Sequence, residues 1–95
     1  MNDRSSRQAL ELPRSGPTLV EIRWRVRGPT RDIVICAVYQ DDSVGLELRA
    51  AFENGEIVRT RRAPHIEEAR LIAGEWLGAV LEEGGFEQLA KSPES

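Results

Sequence analysis

The sequence predicts an α+β fold: a four-stranded antiparallel meander followed by one long C-terminal helix packed on one sheet face, in the order β-β-β-β-α. Three observations predict it. Residues 18–27 and 44–53 alternate apolar and polar side chains with period two. Asn54-Gly55, the strongest short hairpin signal, sits between two strand-like runs. From Ile66 to Leu81 apolar residues recur at helical spacing.

The first strand, Thr18–Arg27, points Val20, Ile22, Trp24 and Val26 one way and Glu21, Arg23, Arg25 and Arg27 the other. Gly28-Pro29-Thr30 has turn chemistry. In the second strand, Arg31–Gln40, the stretch from Ile33 to Tyr39 is unbroken apolar and rich in β-branched residues, as in a strand buried on both faces. Asp41-Asp42-Ser43 turns the chain into the third strand, with Val44, Leu46, Leu48, Ala50 and Phe52 on one face. A two-residue Asn54-Gly55 turn would set Phe52 opposite Ile57, with Arg59 and Arg61 on the Phe52 side and Val58, Thr60 and Arg62 on the other. So Arg-rich a strand suits a sheet edge. Pro64 fits a first helical turn, Glu67 and Glu68 suit the positive end of the helix dipole, and Gly84-Gly85 stops the helix with Phe86 folding back. The domain is expected over 18–89, between a polar N-terminal tail, 1–17, and a short tail, 90–95.

Composition narrows the function classes. With 40% hydrophobic and 31% charged residues and a net charge of -3, the chain reads as an ordinary globular domain. The single Cys36 excludes an internal disulfide and suits the cytoplasm. No apolar stretch is long enough to span a membrane. Acid gathers in residues 63–95, with seven acidic against two basic side chains, whereas residues 18–62 hold eight basic against seven acidic. A pI of about 5.2 argues against a domain-wide nucleic-acid footprint, so anion binding would need a local patch.

That patch is a stripe of arginines: Arg23, Arg25 and Arg27 on the first strand, Arg31 in the turn, and Arg59, Arg61 and Arg62 on the last. Planar guanidinium forks suit phosphate oxygens; the plainer account is cross-strand pairing with Glu21, Glu47 or Glu53. Catalytic residues are not expected. Cys36 lies mid-strand where thiols are inert, His65 reads as a helix cap, and Asp41-Asp42 lacks the further ligands of a calcium loop. Neither a metal-ligand spacing nor a phosphate loop occurs, and no cofactor is implied.

One helix covers only one face of a sheet, yet the second strand is apolar on both. A four-residue Gln40–Ser43 connection would set Tyr39 opposite Val44 and turn Val34, Cys36 and Val38 away from the helix. A connection of the other parity would exchange the two sets. Taking three or four such side chains out of water is worth about 5–10 kcal/mol, comparable with the whole stability of a small domain. The expected function is therefore a small, non-catalytic interaction module acting as a homodimer, with Val34, Cys36 and Val38 as its dimer face. An alternative is single-stranded nucleic-acid binding through the arginine-lined sheet. The element order is similar to that of Whirly-like and transcriptional-coactivator single-strand binders, a resemblance of topology alone. A further alternative is an accessory subunit docking a basic protein on the acidic helix face of Glu67, Glu68, Glu75, Glu82 and Glu83.

Overall fold

Among the described residues, five strands and one helix follow in the order β1 (Thr18–Arg27), β2 (Ile33–Asp41), β3 (Gly45–Phe52), β4 (Ile57–Ala63), α1 (Ile66–Glu83) and β5 (Glu87–Leu89). The structure, a computed structural model, describes residues 17–42 and 45–91. The tail expected over 1–17 lies, apart from Pro17, outside the described residues, as do 92–95 of the C-terminal tail. The four-stranded antiparallel meander with a helix on one face is as the pattern predicts. The addition is β5, which pairs antiparallel with Arg25–Arg27 and completes the sheet order β4-β3-β2-β1-β5. Three residues are too short to announce themselves by periodicity.

The β1–β2 and β3–β4 turns share one design. Arg31 N–H donates to the Gly28 carbonyl and Gly28 N–H to the Asp32 carbonyl. Likewise Gly55 N–H donates to the Phe52 carbonyl and Phe52 N–H to the Glu56 carbonyl. This is a tight turn closed by a residue in the left-handed region, a three-residue loop rather than a two-residue one. Gly55 fills that position at φ 97°, and Arg31 fills it at φ 72°. The Asn54-Gly55 signal thus locates the turn, but Gly55 supplies the bulge, not a primed central position. Ala51 consequently faces Ile57, and a register shift follows before Ala50 faces Arg59.

The core lies between α1 and one sheet face. Trp24, Val26, Cys36, Val38, Leu48 and Ala50 of the sheet meet Ala69, Ile72, Ala73 and Trp76 of the helix. The two helical alanines let the backbones approach, and Trp76 fills the space one turn on. The β2–β3 connection decides which face of β2 is covered. Asp41 pairs with Gly45, so Val38 stands opposite Leu48 and Cys36 opposite Ala50. The parity is opposite to that of the expected Tyr39–Val44 pairing. Val34, Cys36 and Val38 therefore pack under the helix, and Cys36 and Val38 are fully buried there.

Strand β1 also departs from simple alternation. Register shifts between Leu19 and Glu21 and between Ile22 and Trp24 bring Glu21, Trp24 and Val26 opposite core residues, while Leu19, Ile22, Arg25 and Arg27 stand opposite the other set. At the helix start His65 is the N-cap, its Nδ1 accepting the Glu68 N–H at 3.4 Å, with Pro64 just before it.

Candidate interaction surface

The sheet face that no described helix covers, the uncovered face, is built by register. Tyr39 faces Leu19 and Glu47, Ala37 faces Ile22 and Arg49, Ile35 faces Arg25 and Ala51, and Ile33 faces Arg27. Ala51 in turn faces Ile57, which is 49% exposed. Opposed residues in a sheet project to the same side, so this face is an apolar band crossing four strands. The expected surplus of apolar surface on β2 is present, but it consists of Ile33, Ile35 and Tyr39, each half-buried, with Ala37 buried among them. The expected set of Val34, Cys36 and Val38 is corrected on that point: the connection parity turns those three inward.

Charged side chains frame the band. Arg49 Nε donates to Glu47 Oε1 at 2.7 Å, and its guanidinium lies 5.0 Å from the Tyr39 ring centroid. Arg25 is 91% buried, a charge drawn down onto the sheet. Its Nη1 donates to the Ala90 carbonyl at 3.0 Å and its Nη2 lies 4.0 Å from Glu53 Oε2. Arg27 Nη1 donates to Glu87 Oε1 at 3.1 Å. Their aliphatic stems cover apolar surface that water would otherwise meet.

The seven arginines of the expected anion patch do not converge. Arg25, Arg27 and, opposite Glu47, Arg62 share the uncovered face. Arg59 and Arg61 stand opposite Ala50 and Leu48 on the helix side. Arg23, displaced by the β1 irregularity, donates to Glu21 Oε2 at 2.8 Å, and Glu21 also receives Arg70 of the helix. Arg31 is exposed in its turn. Strands β1 and β4 are separated by two others, about 14 Å at ordinary strand spacing. Carboxylates of β1, the β3–β4 turn and β5, not an open phosphate cradle, claim Arg23, Arg25 and Arg27.

No chemistry gathers around the nucleophile or the histidine. Burial pushes the Cys36 thiol up to about 12, partly countered by the Arg23 charge. His65 caps the helix on the surface, with Nδ1 3.4 Å from Glu67. Among the described residues no group of three or more His, Cys, Asp or Glu is placed to hold a metal ion. No described helix is long and apolar enough to cross a membrane.

Sequence reasoning missed Arg49 and Ile57 as members of this surface. Arg49 is the lone arginine of its strand and drew no attention, and Ile57 changes face only through the bulge after Gly55. No protein-family model, curated protein or solved structure matches the chain, so its own geometry is the guide to what this surface does.

Proposed function

We propose that this chain is a small, non-catalytic interaction module that acts as a homodimer, joined through the uncovered sheet face and working in the cytoplasm. The observation that carries the reading is the apolar band of Ile22, Ile33, Ile35, Tyr39, Ala51 and Ile57 on the side of the sheet that no described helix covers. A second copy of the same face supplies a matching apolar surface and, being two-fold, closes without leaving another patch exposed. The paired charges around the band suit a polar rim around an apolar centre.

Sedimentation at low micromolar concentration tests it. The wild type is expected as a dimer and Ile35→Glu as a folded monomer, because Ile35 touches the band and not the core. A wild-type chain that sediments as a well-folded monomer ends the proposal.

A second reading, single-stranded nucleic acid on the same face, draws support from the stacking of Arg49 on Tyr39, with Arg25, Arg27 and Arg62 elsewhere on that face. It is the weaker one, because Glu53, Glu87 and Glu47 already neutralise three of those arginines. Binding of an oligonucleotide at about 50 mM salt that falls steeply as salt rises would favour it.

A further inference from the structure

On the opposite side of the sheet, buried helix residues end at Trp76, although the helix runs on to Glu83. Beyond Trp76 a cleft of about 450 Å³ opens between helix and sheet. Its floor is Trp24, Val26 and Ala50; Trp76 and Val80 form the helix wall. Phe86 closes one end, packed so near Gly28 that an added Cβ there would lie 3.2 Å from its ring. Phe52 and Arg59 form the other side.

Size and lining are those of a small-molecule site: concave, largely apolar, with few polar groups at its margin. A void of this volume sealed dry would strain the stability of so small a domain. Here it stays open beside the core.

Charge at the margin selects the ligand. Arg59 has its guanidinium 4.6 Å from the Trp76 ring centroid, and among the described residues it has no carboxylate partner. The fork is held at the mouth with its donors unspent. The best aromatic face for a cation is thus already taken by the protein's own cation. Asp32, also at the margin, accepts the Thr30 hydroxyl at 2.9 Å, and Glu83 sits at the exposed helix end.

We propose that this cleft binds a small organic acid with an aromatic or branched apolar body, the body seated between Trp24, Trp76 and Phe86 and the carboxylate on Arg59. The site is independent of self-association, which uses the other sheet face.

The chain's two tryptophans both line the cleft, so intrinsic fluorescence reads occupancy directly. The probes are 3-phenylpropionate, 3-phenylpropanol and 3-phenylpropylamine, titrated into the full chain with amide chemical shifts followed in parallel. The acid is expected to bind about tenfold or more tightly than the alcohol, the gain of one charge-assisted bidentate contact. Shifts should centre on Gly28, Ala50 and Val80. Arg59→Gln, on an exposed edge strand, should keep the fold and bring the acid down to the affinity of the alcohol. Arg61→Gln should leave the preference unchanged. Equal binding of acid and alcohol, tightest binding of the amine, shifts centred elsewhere, or no response to any probe would each overturn the proposal.

Discussion

The indole Nε1 of Trp24 donates a 2.8 Å hydrogen bond to the Ala73 carbonyl, tying the first strand to the middle of the helix. The indole is 3% exposed, so the bond lies in the core and also fixes the ring against the sheet. A buried donor without this acceptor would be left unsatisfied, which makes the position specific for tryptophan.

Trp24→Phe is therefore expected to destabilise the domain by about 2 kcal/mol, from the lost bond and the smaller ring together. Urea unfolding followed by circular dichroism measures it. An unchanged midpoint would deny the contact any role in holding the helix.

Arg31 occupies the left-handed region at φ 72°, the position that Gly55 fills in the other hairpin. A side chain there costs energy that glycine avoids. Arg31→Gly should raise stability by about 0.5–1 kcal/mol once the greater freedom of glycine in the unfolded chain is subtracted. Thermal unfolding decides the sign.

Gly74 and Gly78 lie on the outer helix surface, and an added Cβ would touch nothing within 4 Å at either. Gly74→Ala and Gly78→Ala should each stabilise the helix by about 0.5–1 kcal/mol. Additive gains in the double variant would confirm that neither glycine is packed. A loss would mean that the bare helix surface is covered in solution.

Glu21 accepts two bonds from Arg70, at 3.0 Å each, and one from Arg23. The bond from Arg70 chiefly holds its carboxyl below the ordinary value, with Arg23 adding to the effect and partial burial opposing it. A carboxyl depressed in the folded state stabilises the fold above its unfolded pKa and loses that contribution as pH falls through the folded one. Glu21→Gln should thus be less stable than the wild type at neutral pH, and the gap should close in acid. Denaturation midpoints of both proteins across that range provide the test, and a gap independent of pH would contradict it.

Cys36 is fully buried and its thiol stays protonated up to about 12. Thiol reagents at mildly alkaline pH should leave the native protein unlabelled and react only through unfolding, at the unfolding rate when reagent is in large excess. Rapid labelling without denaturant would place Cys36 at the surface.

Much of the fold was legible because periodicity survives in short windows. The alternation of β3, the apolar run of β2 and the helical spacing from Ile66 to Trp76 each found their place. What alternation cannot carry is parity across a turn. Asp41 against Gly45, and the left-handed Gly55, exchanged the faces of β2 and moved Ile57. The surplus of apolar surface was readable as a quantity, but its membership, Ile35 and Tyr39 rather than Cys36 and Val38, depended on one residue of connection. The arginine stripe failed for a related reason. Local irregularity in β1 took Arg23 to the helix side, and strand order kept Arg59, Arg61 and Arg62 away from Arg25. The cleft left no trace in the pattern, since Trp24, Trp76 and Phe86 are ordinary core residues until their spacing in three dimensions is known.

The late strand β5 also bears on how the protein is born. Because Glu87–Leu89 lies against Arg25–Arg27, the earliest segment of the domain receives its last neighbour only after nearly everything else has been translated. A nascent chain halted before residue 87 carries a bare strand border at Arg25–Arg27. Such truncated products should be prey to proteases and to joining one another at Arg25–Arg27, the stretch that Glu87–Leu89 covers once it is made.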